Sequence, residues 1–397
     1  MNPPPDPDPP LLPRQQFNYR PNLIHLALLL SNLLSRVPPL ALTPTWLALA
    51  AISCWPWPAS LRLWAAGGTL FFVIVDGIGL VLLPVAELSF GPVTPSLLAL
   101  ALLRTGVTLG GGWLWGKEAA LLSVFGFQGI IALIVVYATW VEPTKLSVTH
   151  QTLHSARLTG HTPLRLLHIS DLHVERVSRR ERTLIQHIEA LDPDVVVLTG
   201  DYLTLSSIYS TEAQAEARRV LADICRVARG PIYAVTGSPP VDLPEIVPRI
   251  FEGLPITWLL DRWVKANIAG HEICIAGLRC TARRQQDAPR LRDLLTGHPS
   301  EMFTLLLYHS PDLMPEAVDL GVDLYLCGHT HGGQIRLPLF GAIFTSSEFW
   351  KRYEMGRYEQ GNTTMYVSRG VGMEGMGAPR ARFLSPPEIT LWTLIST

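Results

Sequence analysis

The chain's 397 residues are enough for two or three domains, and its 32 Lys and Arg nearly balance 33 Asp and Glu. That balance leaves no basic surface on which to argue nucleic-acid binding, so no nucleic acid is expected as a partner. Five scattered cysteines (Cys54, Cys225, Cys274, Cys280, Cys327) without C-x-x-C spacing argue against a disulfide framework and against a thiolate zinc site.

Charge is unevenly placed along the chain. Residues 1–22, beginning MNPPPDPDPP, form a Pro-rich polar tail expected to be disordered or extended. They lack the single apolar core and cleavage site of a signal peptide. Residues 23–141 are apolar and read as a transmembrane region of four or five helices. Stretches 63–83, 95–115 and 119–141 each reach the roughly 20 residues that a span needs. Two shorter ones, 22–35 and 40–55, flank the break at Val37-Pro38-Pro39. Trp46, Trp55, Trp57, Trp64, Trp113, Trp115 and Trp140 fall near segment ends, as interfacial belts do. Asp76 lies inside a span without an obvious basic partner in its own segment; an intramembrane acid is a functional candidate by default, and a helix-packing or interfacial role is expected for it here. Arg14, Arg20 and Arg36 favour a cytoplasmic N-terminus. The protein is thus expected to be multi-pass, with the side of the remaining chain set by the span count.

Residues 142–397 read as a globular α/β domain. A weakly alternating stretch, 145–153, suggests a first strand. The apolar strand 164–170 ends in Asp171-Leu172-His173, and a helix over 179–191 follows. A second buried strand, 193–199, ends in Gly200-Asp201. A helix over 211–228 then leads to the strand 232–235, which ends in Thr236-Gly237. Strand 302–308 ends at His309. Strand 323–327 ends in Gly328-His329-Thr330-His331-Gly332-Gly333-Gln334. Open α/β sheets place their sites at the carboxyl ends of strands.

Asp171, His173, Asp201, His309, His329 and His331 are therefore candidate metal ligands. Side chains at i and i+2 of an extended segment share one side, so His329 and His331 are expected to face a single point. Mixed imidazole and carboxylate sets suit Mn, Fe or Zn better than Ca or Mg. A carboxylate such as Asp201 can bridge two divalent ions, and such a pair can clamp a phosphoryl oxygen.

Asp171-x-His173, Gly200-Asp201, His309 and Gly328-His329-Thr330-His331 together resemble the calcineurin-like metallophosphoesterase family. His309-Ser310-Pro311-Asp312, Gly332-Gly333-Gln334 and Pro386-Pro387-Glu388-Ile389 resemble its membrane-associated bacterial branch. The resemblance covers about residues 143–395. It implies a two-sheet β-sandwich flanked by helices, with Asp171, His173 and His331 on one metal, His309 and His329 on a second, and Asp201 between them. It also implies hydrolysis of a phosphomonoester or phosphodiester, a lipid-linked ester being one case.

One motif departs from the family. Where the family has Gly-Asn-His, this chain has Gly237-Ser238-Pro239, followed by Pro240-Val241-Asp242. A serine hydroxyl is expected to replace the Asn amide carbonyl poorly. Proline cannot transfer a proton, and losing a positioned acid or base typically costs ~10²–10⁴-fold in rate. No catalytic acid or base is identified from the sequence, and Asp242 is the nearby carboxylate with the reach to approach the site. The alternative function is a catalytically impaired relative that binds metal, phosphate or membrane. Arg279, Arg283, Arg284, Arg290 and Arg292 read as a solvated face or an anion-binding lip. Arg176, Arg179, Arg180 and Arg182 lie near the expected cleft mouth. The glycine-rich stretch 370–377 reads as a loop near the cleft.

Overall fold

Two hydrophobic periodicities divide the chain, and the computed structural model follows them. It describes residues 33–115, 118–374 and 380–397. The tail 1–22 and most of the stretch 22–35 lie outside the described residues. Contacts group the chain into two compact units. One contains Thr144–Glu374 and Arg382–Thr397, and the other contains the described part of Gln16–Pro143.

The second unit is helical: α1 (Thr43–Ser53), α2 (Ala59–Leu82), α3 (Val93–Leu114) and α4 (Glu118–Val136). Helix α4 continues through a π-helical turn, Tyr137–Val141, and a 3-10 turn, Glu142–Thr144. Three helices are long and apolar enough to cross a membrane, with mean hydropathies of 2.0 (Ala59–Leu82), 1.4 (Val93–Leu114) and 2.4 (Glu118–Thr144). Helix α1 rises only about 16 Å at 1.5 Å per residue, roughly half of a hydrocarbon core. Trp55, Trp64, Trp113 and Trp115 are exposed, whereas Trp46 and Trp57 are buried inside the unit. The belt expected from sequence thus loses two members to packing, and the Trp57 indole donates to the Thr108 carbonyl at 3.0 Å.

Asp76 finds its partner on the next helix. Arg104 donates to both carboxylate oxygens, Nε to Oδ2 at 3.0 Å and Nη2 to Oδ1 at 2.9 Å. Arg104 Nη1 also donates to Gln128 Oε1 at 2.9 Å, and Gln128 Nε2 donates to Thr108 Oγ1 at 3.1 Å. Hydroxyl contacts extend the chain from Thr108 to Thr69 (2.9 Å) and from Thr69 to Ser53 (3.0 Å). All six side chains are buried. Polar groups at this depth are tolerated because each one is satisfied by a neighbouring helix.

The first unit is a sandwich of two six-stranded sheets. Sheet one contains β1 (Ser147–Ser155), β2 (Leu164–Ile169), β3 (Val195–Leu198), β4 (Ile232–Ala234), β5 (Ile256–Trp258) and β14 (Glu388–Ser396), in the order β1-β14-β2-β3-β4-β5. Sheet two contains β6 (Arg262–Ile268), β7 (His271–Gly277), β8 (Phe303–Leu307), β9 (Leu324–Cys327), β12 (Gly356–Gln360) and β13 (Thr363–Val367), in the order β12-β13-β9-β8-β7-β6. A short hairpin, β10 (Arg336–Leu337) and β11 (Gly341–Ala342), stands apart.

Period-2 alternation explains the layering. Leu164 and Leu166 of β2 and Val195 and Val197 of β3 join Phe303, Leu305, Leu324 and Leu326 in the core between the sheets. The alternate residues Leu167, Ile169, Val196 and Leu198 face a second core, shared with α5 (Arg179–Leu191), α6 (Thr211–Val227) and α7 (Val247–Phe251). Helices α8 (Arg284–Leu295) and α9 (Met314–Asp319) cover the other sheet through Leu291, Leu295 and Ala317. Helix α5 starts where Ser178 and Glu181 form a capping box. The result is the helix-flanked two-sheet sandwich, with β2, β3, β4, β8 and β9 all ending at one rim.

Candidate metal centre

The six candidate ligands meet at that rim, just beyond the ends of β2, β3, β8 and β9. One donor atom each from Asp171, His173, Asp201 and His331 lie within 4.8 Å of one another, and so do those of Asp201, His309 and His329. Asp201 belongs to both groups. His331 and His329 therefore face different clusters, which corrects the expectation that His-x-His aims at one point. The physical reason is the backbone. Asp171, His173, Asp201, His329 and His331 all have positive φ, between 42° and 71°. An extended-strand rule fails where the chain turns left-handed at alternate residues. Such conformations cost of order 1–3 kcal/mol each and persist only when the surroundings over-determine them.

Close approach over-determines them here. A Cβ on Gly237 would lie 2.1 Å from Asp201 Oδ1, and one on Gly328 would lie 2.0 Å from Asp171 Oδ2. Only glycine lets these loops meet. Asp171 accepts the His329 N–H at 3.1 Å, so two strand ends are tied directly to each other.

The imidazoles are oriented from behind. His173 Nδ1–H donates to the Leu203 carbonyl at 3.1 Å, and His309 Nδ1–H donates to the Thr199 carbonyl at 2.7 Å. A carbonyl only accepts, so each Nε2 is left with its lone pair aimed inward. His173 Nε2 and His331 Nε2 lie 3.1 Å apart, and His331 Nε2 is 3.5 Å from Asp171 Oδ1. Asp201 Oδ2 is 3.6 Å from His173 Nε2 and 3.2 Å from His309 Nε2. Among the described residues, the buried Nδ1 of His331 has no hydrogen-bond partner. Lone pairs converging on one another at these distances, from nitrogen and oxygen donors, fit a divalent ion of the Mn, Fe or Zn kind.

The electrostatics make the same demand. Burial pushes Asp201 up, but His309, His173 and His329 outweigh it and hold the carboxyl far below its ordinary range. Burial pushes His309 down, yet Asp201 overrides it and lifts the imidazole to about 9. His331 is held well below its ordinary value by burial and then by His173, and His329 is lowered by burial and then by His309. Asp201 is thus the centre of negative charge towards which the surrounding imidazoles are drawn.

Ser238 is better placed than its chemistry suggested. Its N–H donates to Asp201 Oδ1 at 2.6 Å. Its hydroxyl lies 3.2 Å from Asp201 Oδ2, 3.1 Å from His309 Nε2 and 3.2 Å from His329 Nδ1. The hydroxyl therefore stands among the donors of the second cluster. Asp242 does not. Its buried carboxylate accepts from the backbone N–H groups of Gly237 (2.6 Å), Asp201 (2.8 Å) and Tyr202 (3.0 Å), so it fastens the two loops and stays out of the cluster. Burial, and then Asp201, lift it to about 7.

Arg382 was not legible as part of this region. Fully buried, it donates to the carbonyls of Ser385 (2.9 Å), Arg369 (2.8 Å) and Gly372. It thereby holds the loop in which Val371 N–H donates to Ser170 and Gly372 N–H donates to Asp171. The glycine-rich stretch does lie beside the cluster, while 375–379 fall outside the described residues. The anion-binding lip is corrected: Arg290 and Arg279 pair with Asp261, and Arg284 pairs with Glu316. Arg180 is likewise taken up by Glu181, and Arg176 pairs with Glu212 at 3.5 Å.

Two sheets that deliver aspartates and histidines to one buried rim define the metallophosphoesterase class of hydrolases. Residues 164–238 match the family model described as calcineurin-like phosphoesterase. Over 279 residues the chain is 30% identical to the metallophosphoesterase YkuE of Bacillus subtilis, covering 66% of this chain and 90% of that protein. It is 29% identical over 249 residues to the phosphodiesterase YaeI of Escherichia coli, covering 59% and 83%. It is 24% identical over 331 residues to the UDP-2,3-diacylglucosamine pyrophosphatase LpxG of Chlamydia trachomatis, covering 70% and 96%. The chain belongs to the calcineurin-like metallophosphoesterase family.

Proposed function

We propose that this protein is a membrane-anchored phosphoesterase with two divalent ions at its centre. The observation that carries the proposal is the pair of donor clusters sharing Asp201. Asp171, His173 and His331 would hold one ion, His309, His329 and the Ser238 hydroxyl the other, and Asp201 would serve both. Bound ions of this kind polarise a phosphoryl oxygen and acidify a water molecule. The chain's own contribution is orientation. The Thr199 and Leu203 carbonyls fix two imidazoles, and Asp242 fixes the loops that carry Asp201 and Ser238. Three span-length helices support anchoring in a membrane.

Pro239 narrows the substrate. A proline has no proton to give a departing alkoxide, so the reaction favours a leaving group that departs as a stable anion. A phosphoanhydride provides one, and an alkyl ester does not. The relative named a UDP-2,3-diacylglucosamine pyrophosphatase belongs to the anhydride class by its name. We infer a lipid-bearing phosphoanhydride or activated phosphodiester as the substrate. The test uses the full chain in detergent micelles, with metal content and hydrolysis rates measured together. Two ions per chain, with anhydride turnover well above that of an alkyl phosphodiester, is the expected result. One ion or none, with no turnover of either, would leave a binding module.

A further inference from the structure

The hairpin that follows the His-x-His loop carries an apolar tip that stays exposed among the described residues. Its strands pair Arg336 with Ala342 and Leu337 with Gly341, so Pro338, Leu339 and Phe340 form the turn. Leu337 is 47% exposed, Leu339 fully exposed and Phe340 57% exposed, with Ile343 and Trp350 also open to solvent. These five are most of the eight large exposed hydrophobic residues among the described residues of the sandwich unit, and they lie within fifteen positions of one another. Scattered apolar residues need no explanation, but a contiguous patch at one projection does. Leu339 sharpens the point. It adopts φ 65°, a left-handed turn conformation that favours glycine or asparagine. The chain thus holds a leucine where both its backbone and its side chain are at a disadvantage in water.

Cations stand beside the tip. Lys351 Nζ lies 3.5 Å from the centre of the Phe340 ring and donates to the Phe340 carbonyl. Glu354 sits at the base of the hairpin, 3.6 Å from Lys351 Nζ and 2.8 Å from Arg336 Nη2, while Arg352 and the acid Glu348 are exposed near Lys351 in the chain. Apolar residues flanked by Lys and Arg suit an interface of acyl chains below anionic headgroups. The base of the hairpin is fastened to the metal centre's own loop: Arg336 Nη1 donates to the Gly332 carbonyl at 2.8 Å, and Ser346 Oγ donates to the His329 carbonyl at 2.8 Å. The chain also supplies the lipid. The last apolar helical segment, Glu118–Thr144, ends three residues before β1 begins, so in an anchored chain the hairpin is held at high local concentration of bilayer.

We propose that the hairpin 336–342 inserts its Leu339-Phe340 tip into an anionic lipid surface and so seats the His329/His331 loop at the headgroup level. The inference rests on the membrane anchoring proposed above, but it needs no turnover. The test is a spin label on Leu339→Cys in the full chain. Cys54 and Cys225, the two half-buried cysteines, are changed to Ala. The protein is reconstituted into phosphatidylcholine vesicles containing phosphatidylglycerol. The same label on Arg229→Cys, whose side chain is 80% exposed on the same unit, is the reference. The expected result is a label at 339 that collides with oxygen but is shielded from a water-soluble nickel chelate, with the opposite at 229. Equal nickel access at both positions would overturn insertion. So would a label at 339 shielded from both reagents whose dipolar broadening grows with protein density, because a second copy would then cover the tip. Failure of the full chain to co-float with the vesicles would overturn the anchoring and the insertion together, whatever its hydrolytic activity.

Discussion

Both halves of this molecule bury charge, and they do so in opposite ways. In the helical unit, Asp76 and Arg104 neutralise one another through a bidentate pair, and Gln128 and three hydroxyl side chains complete the network. In the sandwich unit, Asp201 is surrounded by imidazoles whose lone pairs also face one another, with His173 and His331 nitrogens 3.1 Å apart. The first arrangement is closed: its donors and acceptors match within the chain. In the second, no Lys or Arg among the described residues pairs with Asp201, and Asp201 lifts His309 to about 9. A buried charge is structural when the chain pairs it and an invitation to a ligand when the chain does not.

The sharpest way to break this comparison is Asp201→Ala, which removes the group common to both clusters. Turnover should fall by roughly 10³-fold or more, and metal content should drop at both positions, read by elemental analysis alongside hydrolysis. Unchanged metal stoichiometry would mean that Asp201 does not bridge. Next is Arg104→Ala, which strands Asp76 in an apolar bundle and should cost about 3–5 kcal/mol in unfolding of the detergent-solubilised chain. The paired change Asp76→Leu with Arg104→Leu should recover most of that loss; if it does not, the network has a role beyond closing itself. Asp242→Asn offers an amide to a backbone N–H and should destabilise by about 1–3 kcal/mol, seen as a lower melting temperature.

Smaller effects sharpen the comparison. Ser238→Ala should weaken one metal site by ~10–100-fold in titration and leave the other unchanged, and Ser238→Asn should strengthen the same site. His168 supplies a pH test away from the ligands. Burial lowers it from its ordinary value of 6.5 to about 3, while its Nε2 contacts Thr199 Oγ1 at 2.8 Å. The folded state therefore binds fewer protons here than the unfolded chain between those values. Its contribution to stability is complete above pH 6.5 and is lost as pH falls towards 3. Melting curves in the presence of chelator should show a shallower acid decline for His168→Gln than for the native chain.

Much of the sandwich was legible because its strands announce themselves by length and apolarity, and their ends by polar residues. Helix 179–191 falls where the periodicity of Ile185, Ile188 and Leu191 placed it. The cluster's members were legible for the same reason: carboxylates and imidazoles at strand ends have few other uses. The separation of His329 from His331 followed from the family resemblance and not from periodicity, because left-handed φ at both residues leaves no mark in a pattern read as extended. Ser238 was discounted on its chemistry, yet its hydroxyl stands within 3.2 Å of Asp201, His309 and His329. The partner of Asp76 lies 28 residues away on another helix, beyond any window that tests a single segment. Arg382 looks like a surface residue in sequence, and only the carbonyls that converge on it reveal that it is buried.

The place of β14 has a consequence for how the protein is made. This strand runs parallel to β1 and antiparallel to β2, so the last residues of the chain lie between two strands that were synthesised more than two hundred residues earlier. Trp392, fully buried between the sheets, completes the core that they share. Residues 388–396 must therefore be made before the first sheet can close. Until then the edges of β1 and β2 are unpaired and the apolar slot for Trp392 stands open, the kind of exposure that recruits chaperones. The apolar helices, by contrast, precede the sandwich in the chain, and their buried Asp76, Arg104 and Gln128 find partners among themselves. Loss of residues 388–396 thus acts on folding before it acts on the rim that carries the donor clusters.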